Sequence, residues 1–295
     1  MSQKKLLFIV NPRAGRNKSR GPLFDAATVF SEAGYLLSIH ETKAAGDAAE
    51  YAAKEGPHFH VVVAVGGDGT LNEVSRGLME LKNPPMLGYL PQGSTNDFAA
   101  SLHISANPVT AACAMTQAAP RQLDVGLWNG RHFLYVASFG AFTSSSYTAS
   151  QAAKNALGHF AYILEGMKDL NTLRPYQVKL TADGEVLDGE YLFGAVCNST
   201  SIGGLMKLDP ERVVLDDGKF EMLLIPSPKN PVDLQNLVLA LLEQQYDREG
   251  LIFRHVSSIH LETATELPWS LDGEYAPSMP VVDIENRPRA LSILL

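Results

Sequence analysis

The chain reads as an α/β protein in two parts, an N-terminal parallel sheet covered by helices and a β-rich second half. Three observations predict this. Short apolar runs alternate with helix-like segments as far as residue 118. The apolar run Val61–Val65 leads directly into Gly66-Gly67-Asp68-Gly69-Thr70. After Pro120 that rhythm gives way to short β-like runs closed by turn residues.

In the first half, Leu6–Val10 is a short apolar strand, followed by a turn at Asn11-Pro12-Arg13-Ala14-Gly15 and a helix over Leu23–Glu32. Tyr35–His40 and Gly46–Lys54 repeat the pair. Val61–Val65 is a run of β-branched residues suited to a strand buried on both faces. Leu71, Val74, Leu78 and Leu81 recur on one helical face over Leu71–Leu81. Met86–Leu90 is a further strand, and Thr95–Leu102 and Val109–Ala118 complete the helices. Ligands on such sheets sit beyond the C-terminal strand ends. Gly66–Thr70 and Gln92–Asp97 both fall at such ends.

In the second half, Phe133–Ser138, Tyr176–Thr181, Glu185–Leu187, Tyr191–Asn198, Phe220–Ile225 and Phe253–Leu261 read as strands, and Asp183-Gly184 is a hairpin turn. Ala153–Leu170 and Pro231–Gln245 read as helices. Val281–Ile284 is the last run before Ala290–Leu295 returns to the first part. The resulting domains are 1–125, completed by 286–295, and 126–285.

The 295 residues, 45% of them hydrophobic, suffice for two cores. No apolar segment approaches the roughly 18 residues of a membrane-span candidate. The apolar stretch after Lys4-Lys5 runs into Asn11-Pro12-Arg13 rather than a small-residue cleavage site, so it reads as a strand and not a secretory signal. Cys113 and Cys197 are the only cysteines; they form neither a metal-type pair nor a disulfide scaffold and suggest a reducing compartment. A formal net charge of −8 argues against a nucleic-acid polymer as partner. Arg13, Arg16, Lys18 and Arg20 form a local basic patch, read as a solvated loop or as a phosphate contact.

Three turns carry candidate chemistry. Gly66, Gly67 and Gly69 allow backbone to approach a ligand, and their N–H groups with the next helix start suit a polyphosphate. Asp68 suits such a site once Mg²⁺ stands between it and the phosphate. Thr70 is placed to cap the helix. The spacing fits neither the P-loop nor the G-x-G-x-x-G pattern. In Gly93-Ser94-Thr95-Asn96-Asp97, Asp97 is either a helix-start carboxylate or a metal-site partner of Asp68. In Leu271-Asp272-Gly273-Glu274 the two acids belong to a solvated turn or face one cleft, where one accepts a hydroxyl proton.

Taken together, GGDGTLNEV at 66–74, GSTNDFA at 93–99 and LDGE at 271–274 resemble the bacterial diacylglycerol kinase and lipid kinase family. GGDGT alone is shared with NAD kinases. The resemblance implies a two-domain lipid-kinase fold, with an α/β nucleotide-binding domain and a β-rich sandwich domain. It implies Mg²⁺-dependent transfer of the ATP γ-phosphoryl to a lipid hydroxyl at a membrane surface, with diacylglycerol giving phosphatidate as the leading acceptor. An NAD kinase and a non-catalytic nucleotide sensor are the alternatives.

By the same resemblance, Gly66, Gly67, Asp68, Gly69, Thr70, Leu71 and Asn72 match the nucleotide-phosphate loop, and Thr42 and Thr95 match further nucleotide contacts. Asp68 and Asp97 look like parts of a magnesium-bearing centre. Glu274 matches the general base, with Asp272 beside it as a second acid. Asp217, with the carbonyls of Val214 and Lys219, matches a structural magnesium site. Phe139, Phe142 and Tyr147 are read as simple packing or as the lining of a lipid entrance. Cytoplasmic localisation with peripheral membrane contact follows, and the resemblance allows a homodimer.

Overall fold

A computed structural model describes residues 3–14, 20–93, 96–140, 174–202, 206–243, 245–246 and 250–295. The chain divides into two compact units, Met1–Val125 with Arg289–Leu295, and Gly126–Pro288.

The first unit is a parallel sheet. Its strands are β1 (Lys4–Val10), β2 (Tyr35–Glu41), β3 (Val61–Gly66) and β4 (Met86–Pro91), ordered β2-β1-β3-β4 with every pair parallel. Helices α1 (Arg20–Glu32), α2 (Asp47–Glu55), α3 (Asp68–Met79), α4 (Asp97–Ser101) and α5 (Pro108–Gln117) connect them. Because strand side chains alternate between faces, Leu6, Phe8, Val63 and Val65 meet Phe30, Ala112 and Met115 in one core. Leu7, Ile9, Val62 and Ala64 are equally buried on the other face. Helices α2 and α3 pack together. Gly77 permits this approach, since a Cβ there would clash with the Ala49 backbone carbonyl. Gly77→Ala is therefore expected to lower stability by about 1–3 kcal/mol, read as a reduced denaturation midpoint with an unchanged slope.

The second unit is antiparallel. Strands β5 (Arg121–Trp128), which begins in the first unit, and β6 (Arg131–Phe133) form a hairpin. β7 (Val136–Gly140), β8 (Tyr176–Ala182) and β9 (Glu185–Cys197) follow. After the short pair β10 (Ser201–Ile202) and β11 (Met206–Lys207) come β12 (Phe220–Pro226), helix α6 (Pro231–Leu242), β13 (Ile252–Val256), β14 (Ser258–Glu262), β15 (Trp269–Leu271), β16 (Glu274–Ala276) and β17 (Val281–Ile293). β9 organises the layer, pairing with β8 along its first half and with β7 and β12 along its second. The core gathers Trp128, Phe133, Phe139, Val178, Phe220, Met222, Ile259, Trp269 and Leu271.

Several boundaries differ from the sequence reading. Glu185–Leu187 and Tyr191–Asn198 are one strand, because pairing carries the chain straight through Asp188-Gly189-Glu190. Phe253–Leu261 is two strands, broken at Ser257. Val281–Ile284 and the terminal return are one strand, which passes Pro288 and Arg289, the latter with φ 53°. The helix expected over Ala153–Leu170 lies outside the described residues.

Three hairpins share one turn chemistry. Asn129-Gly130, Asp183-Gly184 and Asp272-Gly273 are two-residue links in which both residues have positive φ, the type I′ geometry that matches strand twist. The Asp183 carboxylate also accepts from the N–H and hydroxyl groups of Ser257 and Ser258. Burial pushes its pKa up, but those hydrogen bonds outweigh burial and leave it lowered. The group therefore stabilises the fold above the unfolded value of about 3.9, and that contribution is lost as pH falls through the lowered folded value. Asp183→Ala should reduce Tm at pH 7, with the gap to wild type closing in strong acid.

Candidate active site

The end of β3 and the start of α3 form the first part of the site. Helix α3 begins at Asp68, so Asp68, Gly69 and Thr70 are its first turn rather than a loose loop. Gly67 is the N-cap and offers no side-chain cap, and Thr70 is not the cap expected from the sequence. Instead, Thr70 Oγ1 accepts from Asn11 Nδ2 at 3.3 Å. An uncapped helix start exposes backbone N–H groups and the positive end of the helix dipole, which favours an anion.

The two glycine turns abut. β3 and β4 are neighbours, and Gln92 N–H donates to the Gly66 carbonyl at 2.7 Å. A Cβ on Gly93 would lie 2.7 Å from Gly67 Cα, so the two backbones meet where a side chain has no room. Asn96, at φ 53°, closes the second turn: its Oδ1 accepts from Gly93 N–H at 2.8 Å and its Nδ2 donates to the Gly93 carbonyl at 2.9 Å.

This juxtaposition brings Asp68 and Asp97 together. Asp97, the first residue of α4, donates its backbone N–H to Asp68 Oδ2 at 3.2 Å. Asp68 Oδ1 is buried with no hydrogen-bond partner among the described residues. Burial raises the Asp68 pKa, opposed by backbone N–H groups led by that of Asp97. Tyr89 on β4 is fully buried, and its hydroxyl donates to Asn96 Oδ1 at 3.3 Å. Burial, then the charges of Asp68 and Asp97, push its pKa up, so it remains a donor. An orphaned carboxylate oxygen beside a second acid suits a divalent cation or its bound water.

A cleft of about 490 Å³ opens over the first turn of α3, within the roughly 300–1,000 Å³ usual for small-molecule sites. Among the expected residues, Thr42, Gly67, Gly69 and Thr70 line it, together with Arg13 from the basic patch. Gly66, Asp68, Leu71 and Asn72 are not among its described lining residues, and the Leu71 and Asn72 side chains are buried. The far wall, Thr42–Ala45 and Ala48, is held by Glu73, whose two carboxylate oxygens accept from Gly46 N–H at 2.9 Å and Ala48 N–H at 3.2 Å. Thr95 lies outside the described residues, as do Arg16, Lys18, Phe142 and Tyr147. Asn11, Tyr89 and Glu73 are the supports that sequence reasoning missed, whereas Asn96 stands at the helix start where a polar contact was expected. Asn11-Pro12 after a strand was the available signal for Asn11, whose Oδ1 accepts from Arg13 N–H in a side-chain turn.

In the second unit, Leu271 and Glu274 flank the Asp272-Gly273 turn of the β15–β16 hairpin. The expectation that both acids face one cleft is not met. Asp272 is 3% exposed and its carboxylate points inward, accepting from the N–H groups of Leu134 at 2.6 Å, Tyr135 at 2.9 Å and Val136 at 2.9 Å. Glu274 is partly exposed and its Oε2 accepts from Arg131 Nη2 at 2.8 Å. Phe139 is buried against Trp269, with ring centroids 5.0 Å apart, so it is core rather than an entrance lining.

Asp217 is exposed, and its Oδ1 accepts from Lys219 N–H at 2.9 Å in the turn before β12. Val214 is exposed as well. No group of three or more acidic, histidine or cysteine side chains suited to a metal occurs among the described residues. The geometry at 214–219 is that of an aspartate turn whose carboxylate lies open to solvent.

A family model described as the diacylglycerol kinase catalytic domain matches residues 5–128. Another, the YegS C-terminal NAD kinase beta sandwich-like domain, matches residues 137–295. The protein thus joins a mixed α/β catalytic-type domain to a β-sandwich. A diacylglycerol kinase of Bacillus subtilis (strain 168) is 35% identical over 280 residues, 94% of this chain and 92% of that protein. One of Staphylococcus aureus (strain bovine RF122 / ET3-1) is 33% identical over 282 residues, 94% and 88% of the two chains. A diacylglycerol kinase crystal structure from Bacillus anthracis str. Sterne superposes with a TM-score of 0.76 at 25% identity, covering 100% of this chain and 97% of that one. The chain belongs to the bacterial diacylglycerol-kinase-like catalytic family.

Proposed function

We propose that this protein transfers the γ-phosphoryl group of ATP to a lipid hydroxyl, with diacylglycerol as acceptor and phosphatidate as product. The observation that carries the proposal is the pair of abutting glycine turns. They leave an uncapped helix start facing a cleft, with the orphaned Asp68 carboxylate oxygen beside Asp97. Family membership supports the same reading.

The nucleotide phosphates lie over Gly67–Thr70, where backbone N–H groups and Arg13 offset their charge. Asp68 and Asp97 hold Mg²⁺, which supplies charge neutralisation for the transferred group. Thr42 contacts the nucleotide from the cleft wall that Glu73 braces. The bond between the γ-phosphorus and the β–γ bridging oxygen breaks, the lipid oxygen bonds to phosphorus, and ADP leaves. Glu274 receives the hydroxyl proton, for which its carboxylate must come within about 3 Å of that oxygen. Asp217 with the Val214 and Lys219 carbonyls is the proposed second magnesium site; chelation should then lower the Tm of wild type and leave that of Asp217→Ala unchanged.

No helix among the described residues is long and apolar enough to cross a membrane. We place the encounter with lipid at a membrane surface. The β-sandwich match to an NAD-kinase-like domain keeps NAD as the competing acceptor. Offering purified protein Mg-ATP with dioleoylglycerol micelles and NAD together, then identifying products by mass spectrometry, separates the two. Phosphatidate supports the proposal, and NADP alone overturns it. ATP binding without any phosphorylated product indicates a nucleotide sensor.

A further inference from the structure

Asp272 and Arg131 both tie the β15–β16 hairpin, which carries Glu274, to the segment 131–136. Asp272 precedes Glu274 by two positions, and its carboxylate accepts from backbone N–H groups. Three N–H groups in succession, from Leu134, Tyr135 and Val136, donate to its two carboxylate oxygens at 2.6–2.9 Å. Its own N–H donates to the Val136 carbonyl at 2.8 Å, and the Tyr135 hydroxyl reaches its carbonyl at 3.3 Å. Charge-assisted bonds of this kind to a buried carboxylate are strong, and removing their acceptor leaves buried donors unsatisfied.

The second contact comes from the segment just before those N–H groups. Arg131 opens β6 after the Asn129-Gly130 turn. Its Nη2 donates to Glu274 Oε2 at 2.8 Å and its Nη1 to the Tyr275 carbonyl at 3.4 Å. Segment 131–136 therefore grips the β15–β16 hairpin on both sides of Glu274, through backbone at Asp272 and through a guanidinium at Glu274 and Tyr275. A side chain at a hairpin end would otherwise sample several rotamers. A base displaced by about 1 Å loses on the order of 10²-fold in rate.

We propose that Asp272 is a positioning residue and not a second catalytic acid or a metal ligand. It anchors the hairpin on residues 134–136, and Arg131 aims the Glu274 carboxylate. The proposal rests on the reading of Glu274 as the base.

The test compares wild type, Asp272→Asn, Arg131→Gln and Glu274→Gln with dioleoylglycerol in detergent mixed micelles, while Mg²⁺ is titrated. Amide hydrogen exchange at 134–136 is followed in parallel. Asp272→Asn is expected to lose exchange protection at Leu134–Val136 and to lower kcat about 10–100-fold. KM for ATP and the Mg²⁺ concentration for half-maximal rate should stay at wild-type values. Arg131→Gln should lower kcat by about 10-fold, again without a change in Mg²⁺ requirement. A Mg²⁺ requirement that rises with the loss of kcat in Asp272→Asn makes Asp272 a metal ligand and overturns the proposal, as does unchanged kcat. If Asp272→Asn does not fold, Arg131→Gln decides: full activity overturns the proposal. A fully active Glu274→Gln with intact protection at 134–136 overturns the base reading instead.

Discussion

Replacing Glu274 with glutamine should lower kcat by about 10²–10⁴-fold, the range contributed by a positioned general base, with the affinity for Mg-ATP preserved. The amide keeps the shape of the side chain and can still accept from Arg131 through its oxygen, so the hairpin should persist. What is lost is the capacity to take a proton. Near-normal turnover would remove Glu274 from the chemistry. Because the described residues lining the proposed nucleotide cleft all belong to the first unit, calorimetric binding of Mg-ATP should be the same in mutant and wild type.

Asp68→Asn should have a double signature: phosphoryl transfer lower by about 10²–10³-fold and a protein no less stable than wild type. Burial raises the pKa of this carboxylate. A carboxylate whose folded pKa lies above its unfolded value binds protons more readily when folded. Its contribution to stability therefore declines as pH rises from the unfolded towards the folded value, and at neutral pH the charge is a cost. Asparagine removes that charge, so the variant should be at least as stable as wild type at neutral pH. The sign reverses when a cation is present, so added Mg-ATP should raise the Tm of wild type more than that of Asp68→Asn. Equal shifts would show that Asp68 does not hold the ion. A large loss of Tm in the variant would show that its carboxylate is structural.

The parallel half of the fold was legible because its signals are local. Val61–Val65 is too uniformly apolar for an exposed strand, and the glycines after it have few structural uses other than a tight approach. That Gly67 and Gly93 touch could be expected only from strand adjacency; the sequence contains no statement of distance. Asp188-Gly189-Glu190 reads like a turn, yet β9 runs through it because the pairing with β8 outweighs local propensity. β5 was missed since Arg121-Gln122-Leu123-Asp124 lacks an apolar run; it is held by pairing with β6 and β17. The inward contacts of Asp272 were hidden for a related reason. An acid in a glycine turn looks solvated or catalytic, and its true partners are backbone N–H groups more than a hundred residues earlier, which no motif records. The same distance hid Arg131, whose place beside Glu274 depends on two hairpins folding against each other.

The central claim is that the terminal phosphoryl group moves to a lipid hydroxyl in a step that needs Asp68 and Glu274. A single-turnover rapid-quench experiment with [γ-³²P]ATP, Mg²⁺ and dioleoylglycerol micelles tests it directly. Wild type should place the label in phosphatidate, while Asp68→Asn and Glu274→Gln transfer none within the same interval. Label appearing only as inorganic phosphate in wild type, or transfer at the wild-type rate by both variants, would contradict it.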